Sequence, residues 1–309
     1  MRKILTVLLA VGLLAAAFQT APAAPKKVTV CFVTFSLQVG FFQDSVNGGK
    51  REAAAQGADI IVQDPQADVQ KQVTQIEDCV ARKADAIVVD GIESKAVLGP
   101  ASEAKKNGVV VVGVDTFLDS SDVTTNVGVS NFDAAREYGH FIAAWILGKY
   151  GGKADIGIVL ASTEVQLARR DGFMEALKSL GANVRVVGTA DGRNILERAT
   201  AVSEDLLSGK PTIKVVYATG EPQLLGALAA AASQGRKDIA FFGWDKVPQP
   251  FIQPIRDGRV IAVTNQQPEL QGQLGVRYAV QAARGEKVPA RVNTPVAIIT
   301  RYNLDQWLK

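Results

Sequence analysis

Ala86-Ile87-Val88-Val89-Asp90 and Val109-Val110-Val111-Val112-Gly113-Val114-Asp115 are two short apolar runs, each closed by a carboxylate, with 18 residues between them. Neither run alternates apolar with polar residues, so neither reads as a strand with one wet face. Continuous Val/Ile runs suit strands covered on both sides, as in a parallel sheet. The segment between them is long enough for the helical crossover that parallel neighbours need.

The same unit recurs along the chain. Strands are predicted at 28–34, 59–64, 86–90, 109–114, 124–129, 156–160, 184–187, 213–218, 239–243, 260–263 and 296–300. Helices are predicted between them. In 68–83, Val69, Val73, Ile76 and Val80 recur at helical spacing and mark one buried stripe; 132–150, 221–234 and 268–284 are comparable. Strand–helix alternation implies a doubly wound α/β architecture. So many strands in 309 residues fit two sheets better than one, in two domains of ordinary size. A single closed barrel is the rival, and it would need one unbroken run of eight similar units. The Ser-, Thr- and Asp-rich stretch 119–125 interrupts the rhythm and reads as the approach to a domain crossing.

The N-terminus carries a different signal. Arg2 and Lys3 precede an apolar run, Ile4–Phe18, followed by small residues and Pro around 20–25. That order marks a secretory signal peptide, with cleavage expected after Ala23 of Ala21-Pro22-Ala23 and Ala24 as the near alternative. The rival reading is an uncleaved anchor, for which the run is short. The expected location is therefore the periplasm, and no L-x-x-C lipidation site accompanies the signal. Without Arg2 and Lys3, the 34 basic residues become 32 against 31 acidic, a formal charge of +1. That balance, and the lack of basic clusters, argue against a nucleic-acid partner. An oxidising compartment permits Cys31 and Cys79 to pair, but both lie in apolar settings, and two buried free thiols are the preferred reading.

Motifs for catalysis are missing. His140 is the single histidine and lies inside a helical pattern, and one His with two apolar Cys makes no zinc constellation. Ser208-Gly209-Lys210-Pro211-Thr212 echoes a phosphate loop only superficially, and no G-x-S-x-G or G-x-G-x-x-G occurs. Binding without chemistry is the stronger reading, with neither catalytic residues nor a metal or cofactor expected. In doubly wound sheets the crevice beyond the strands' carboxyl ends takes the ligand. The residues there are Phe41 and Phe42, Asp90, Asp115, Arg169, Glu221, Trp244 and Asp245. Carboxylates accept from neighbouring hydroxyls, a guanidinium donates in a fixed fork, and aromatic faces cover a sugar's C–H side. The competing structural readings are a core role for Phe42 and a helix cap for Asp90. Paired carboxylates such as Asp115 and Asp245 are also what a glycosidase needs, which keeps an enzyme as a rival.

These residues stand in motifs: Val39-Gly40-Phe41-Phe42 before an Ala/Gly-rich helix, Ala86–Gly91, Val111–Asp115, Ala168-Arg169-Arg170-Asp171-Gly172-Phe173, Gly243-Trp244-Asp245 and Asn265-Gln266-Gln267-Pro268. In order and spacing, from Val28 to about Thr300, the chain resembles the periplasmic sugar-binding proteins of ABC importers, of the ribose- and galactose-binding type. The resemblance implies a type I periplasmic binding fold: two doubly wound parallel-sheet lobes joined by a three-segment hinge. The lobes would be 24–129 plus 266–294 and 130–265 plus 295–309, with crossings near 129–131, 264–266 and 294–296. It implies that Phe41 and Phe42 flank a sugar ring, that Asp90 and Asp115 accept its hydroxyls, and that Arg169 donates opposite Asp245. Trp244 would stack, and Gln266 would reach the ligand from near the hinge. The implied partners are a small sugar or polyol, the membrane permease subunits of an importer, and a membrane sensor; the protein would be a monomer. Departures weaken ribose itself. Val39 and Gly40 replace an Asn, Thr116 replaces an Arg, and an aromatic near Gly192 and an Asn near Gly220 are missing. Repressors share the fold but need an N-terminal helix-turn-helix where this chain has a signal peptide. A receptor for a signalling or chemotactic ligand remains the alternative function.

Overall fold

The computed structural model describes residues 27–178 and 184–308. The signal peptide expected at 1–23 lies outside the described residues. The chain opens with β1 (Thr29–Val33), α1 (Gly40–Ala55), β2 (Asp59–Gln63), α2 (Val69–Ala81), β3 (Ala86–Asp90), α3 (Ser94–Lys106), β4 (Val110–Val114) and β5 (Thr125–Gly128). It continues through α4 (Asn131–Tyr150), β6 (Ala154–Leu160), α5 (Glu164–Leu177), β7 (Val184–Asp191), α6 (Leu196–Gly209), β8 (Ile213–Ala218), α7 (Glu221–Ser233), β9 (Ala240–Gly243), α8 (Gln249–Arg256) and β10 (Val260–Asn265). The last elements are α9 (Pro268–Ala283), β11 (Arg291–Asn293) and β12 (Ala297–Ile299).

The strands form two open six-stranded sheets, β11-β5-β4-β3-β1-β2 and β12-β10-β9-β8-β6-β7. This is the doubly wound, two-lobed architecture expected from the sequence, and two open sheets exclude the barrel. Every pairing is parallel except β10 with the short edge strand β12. The chain passes from the first sheet to the second between β5 and α4, returns between β10 and α9, and passes again between β11 and β12.

Strand alternation distributes each run between two cores. In β1, Val30 and Phe32 face one helix layer with Val46, Val276 and Val280, while Cys31 and Val33 face the other with Ile76 and Val97. The second sheet is covered likewise, by Tyr138, Ile142 and Phe173 on one face and Leu207, Leu224 and Phe251 on the other. α1 and α9 pack so closely that a Cβ on Gly48 would strike the Glu269 carbonyl and one on Gly272 the Ser45 carbonyl. That contact returns α9, a distant part of the chain, to the first lobe.

Three differences from the sequence reading have physical reasons. β11 was not expected, because it is an edge strand with a polar, largely exposed sequence and no apolar run to announce it. β7 extends to Asp191 as the opposite edge of its sheet, where half-exposed positions accept small and polar residues. The free-thiol expectation is corrected: Cys31 and Cys79 form a disulfide, with Cα atoms 6.0 Å apart. Cys31 faces the layer that holds α2, and Cys79 lies on the buried stripe of that helix, so both thiols occupy one core.

The disulfide closes a loop over a sequence separation of 48. Replacing both cysteines by serine is expected to cost about 2–4 kcal/mol of stability, read as a lower urea midpoint. An unchanged midpoint would show that the bond does not form in the folded protein.

Candidate functional site

The carboxyl ends of both sheets face one another across a cleft, and the side chains there are fixed mainly by buried hydrogen bonds. In the first lobe, the Thr34 hydroxyl donates to Asp90 Oδ2 at 3.0 Å. Buried Gln72 of α2 ties the strand ends together: its amide donates to the carbonyls of Thr34 (3.1 Å) and Asp90 (2.8 Å), and its Oε1 accepts the N–H of Ile92 (2.9 Å). Asp115 follows β4 in the left-handed region, φ 60°, with its N–H donating to the Val127 carbonyl at 2.9 Å. A non-glycine residue held there is strained, and such strain concentrates at ligand sites. Thr116 is spent locally, its hydroxyl donating to the Gly91 carbonyl at 2.8 Å.

An aromatic wall completes this side. Phe35 stacks on Phe42 with ring centres 4.8 Å apart, and Phe41 meets Phe42 edge-on at 5.1 Å. Val39 and Ile92 pack against the three rings.

In the second lobe, Arg169 is buried on α5, whose N-terminus is capped by Thr163 Oγ1 accepting the Gln166 N–H. Its Nη1 donates to Asp245 Oδ1 (2.7 Å) and the Thr219 carbonyl (2.8 Å), and its Nε donates to Asn131 Oδ1 (2.8 Å). The guanidinium lies over the Trp244 ring, 4.7 Å from its centre. Asp245, at φ 90°, also accepts the Gln266 side-chain amide on Oδ1 (2.8 Å) and the Glu221 N–H on Oδ2 (2.8 Å).

The two lobes leave a narrow cleft between these side chains. Of the sequence-predicted residues, Phe41, Phe42, Asp115, Arg169 and Asp245 line it. Four others are placed differently. Asp90 is buried and does not line the cleft, but lies near enough to feel the Asp115 charge. Gln266 is buried behind Asp245, which it holds by both its side chain and its N–H (3.0 Å to the Asp245 carbonyl). Trp244 belongs to the second lobe's core: its indole N–H donates to the Tyr217 hydroxyl at 2.7 Å, so it supports Arg169 from below rather than presenting a face to a ligand. Glu221 turns toward α1 of the opposite lobe. Strand-end position was a sound signal for depth in the fold but said nothing of the direction a side chain takes.

Sequence reasoning missed Phe35, Ile92, Gln166 and Asn194 as lining residues. Gln166 Oε1 accepts from the Ala161 N–H (2.8 Å) and from the Thr219 hydroxyl, its amide donates to Asn194 Oδ1, and Gln223 donates to the same oxygen at 3.1 Å. The readable hint was the polar Gly192-Arg193-Asn194 turn after β7, which brings Asn194 to the cleft.

Electrostatically the cleft is acidic. Burial pushes the Asp115 carboxyl up to about 6; Arg169 opposes the rise and Asp245 adds to it. Burial and then the Asp115 charge raise Asp90 well above the ordinary carboxylate range, against the Thr34 hydrogen bond. Asp90 Oδ1, Asp115 Oδ1, Gln223 Oε1 and Gln266 Oε1 are buried acceptors without a hydrogen-bond partner. Unpaired buried acceptors are costly, and a ligand that brings donors relieves the one that lines the cleft, Asp115 Oδ1. Among the described residues, no group of three or more His, Cys, Asp or Glu side chains is placed to hold a metal ion, and no helix is long and apolar enough to cross a membrane.

A family model described as a periplasmic binding protein domain matches residues 30–287. The ribose import binding protein RbsB of Bacillus subtilis is 30% identical over 280 residues, covering 89% of this chain and 88% of the relative. RbsB of Escherichia coli is 27% identical over 304 residues, covering 97% and 99%. Among solved structures, an ABC transporter solute binding protein from Mycobacterium smegmatis, with bound glycerol, superposes with a TM-score of 0.85 at 27% identity, covering 92% of this chain and 98% of that one.

The raised Asp115 carboxyl has a sign that can be tested. A group whose folded pKa is lifted from 3.8 to about 6 stabilises the fold fully below the lower value, and that contribution is lost as pH rises through about 6. Asp115→Asn removes the penalty, so the variant should be more stable than the parent at pH 8 by up to about 3 kcal/mol. The gain should fade by about pH 4, where both carry a neutral side chain. Thermal unfolding across that range checks it; a pH-independent difference would mean that Asp115 is not held in a desolvated setting.

Proposed function

The chain belongs to the periplasmic binding protein family, and from that premise we propose that it captures a small sugar or polyol by closing its two lobes over it and delivers it to an ABC importer. It is a binding protein of the type I fold and not an enzyme. The observation that carries the reading is the meeting, in one interlobe cleft, of an aromatic wall, a buried Arg169–Asp245 pair and the unpaired buried acceptor Asp115 Oδ1.

In this reading Phe41 and Phe42 cover the ligand's C–H face, and hydroxyls donate to Asp115 and to the free lone pairs of Asp245. Arg169 donates to ligand oxygens with what its internal bonds leave. Asp90 and Gln266 act behind them, Asp90 as an acceptor at the floor and Gln266 by holding Asp245. The cleft has more acceptors than donors, which favours a ligand rich in hydroxyl groups. The three crossings serve as the hinge, and contacts from both lobes favour the closed state. Export to the periplasm by the N-terminal signal peptide, action as a monomer and docking on the importer's membrane permease subunits complete the proposal. The relatives named for ribose import support sugar as the class. Thr116, in place of an Arg, and the missing aromatic near Gly192 turn the choice away from ribose itself.

Thermal unfolding against pentoses, hexoses, deoxysugars and polyols tests this. A ligand at about a hundred times its dissociation constant adds roughly 2.7 kcal/mol. Asp115→Asn should then weaken binding of the hit by about 1–3 kcal/mol. No response to any member of the panel would move the proposal away from carbohydrate ligands, and full binding by the variant would remove Asp115 from the site.

A further inference from the structure

The N-terminus of α1 lacks a local cap. Val39 precedes it in extended conformation with no side-chain hydrogen bond, and its first turn carries no acidic residue. A helix start of this kind leaves N–H groups without partners. The Glu221 carboxylate of the other lobe faces them across Gly40, near enough to the Phe41 N–H to favour its charged form, while its Oε2 is buried without a hydrogen-bond partner. Glu221 is the first residue of α7, and its own N–H is anchored on Asp245, so the side chain projects from a fixed base.

Gly40 makes the approach possible. A Cβ there would lie 2.9 Å from Glu221 Oε1, 3.2 Å from its Oε2 and 3.0 Å from Lys246 Nζ. Both second-lobe side chains therefore reach one point on α1. Lys246 Nζ goes on to pair with Asp44 Oδ2 at 2.6 Å, one turn further along the helix. Glu221 does not line the cleft, so the contact is separate from the ligand's surroundings. It still acts on them, because Phe41 and Phe42 stand on the turn that Glu221 faces.

We propose that Glu221, with Lys246 and Asp44, is a closure clasp: it caps α1 across the cleft and ties the lobes together through a contact that touches no ligand. The inference rests on the reading of the chain as a closing binding protein. Glu221 is thus a positioning residue that fixes the aromatic wall, and its expected role as a ligand contact is replaced. A negative charge at a helix N-terminus is favourable, but closure strips the carboxylate of water.

The groups facing Glu221 are Asp44 and the Phe41 N–H from α1, and Asp245 and Lys246 from the segment after β9. Burial pushes its carboxyl from 4.5 up to about 7; Lys246 and the Phe41 N–H oppose this, while Asp245 and Asp44 add to it. Opening returns the group to water, so the closed form binds more protons, and closure weakens as pH rises through about 7.

The test is a distance measurement between spin labels on exposed positions of the two lobes in the purified protein. The native cysteines are paired and leave labelling to introduced ones. Ligand-free parent protein should show a larger closed fraction at pH 6 than at pH 8. Glu221→Gln, which keeps an acceptor without the charge, should remain closed at both. Glu221→Ala should lower the closed-to-open ratio about tenfold at pH 6, as loss of one hydrogen bond implies, by less at pH 8, and should abolish its dependence on pH. Lys246→Met should lower it as well. A saturating mixture of D-ribose, D-arabinose, D-galactose, glycerol and myo-inositol provides the second arm. If the sugars close the parent while the Glu221 variants match it at every pH, the clasp is wrong and the binding reading stands. If no distance changes under any condition, both are wrong.

Discussion

The Asp245 carboxylate holds the second lobe's half of the cleft together. It accepts from Arg169 of α5, from Gln266 beyond β10 and from the N–H that opens α7, so three elements are tied to the end of β9 by one side chain. A buried ion pair of this kind is expensive to desolvate and contributes little to stability by itself. Its value lies in geometry. Arg169 is held at four points (Asp245, the Thr219 carbonyl, Asn131 and the Trp244 ring), and a guanidinium so constrained loses little freedom when a ligand arrives.

The first lobe solves its half differently. It has no cation in the cleft, and its Thr116 hydroxyl is already engaged. What it offers is a rigid aromatic wall and two neighbouring carboxylates held away from water, Asp90 and Asp115. The two halves share one device. Asp115 and Asp245 both follow a parallel strand and both sit at positive φ, which turns each carboxylate out of the strand direction. Strain of this kind persists where the surrounding structure over-determines it, and here the neighbouring strands and helices do so.

Several strand-end residues serve the site without facing it. Trp244 and Gln266 were placed at the cleft by motif and strand-end position, yet both act from behind, one beneath Arg169 and one behind Asp245. Glu221 faces the other lobe. Two buried glutamines, Gln72 behind the first lobe's strand ends and Gln166 at the cleft itself, order the strand ends on either side. Such residues are hard to find from sequence because a buried glutamine on an amphipathic helix looks like any polar position until its depth is known.

The sequence by itself determined the strand–helix rhythm, the two-lobed doubly wound class and the positions of the carboxylates and aromatics near strand ends. It could do so because continuous Val/Ile runs and helical apolar stripes are local patterns, read within a window of one element. Only the tertiary structure decided which way those end residues turn, that Cys31 meets Cys79, that a polar segment at 291–293 completes a sheet edge, and that Glu221 comes up against the start of α1 in the opposite lobe. These outcomes depend on the azimuth of a helix or on the approach of segments 48 to about 180 residues apart in the chain, and no local pattern carries that distance.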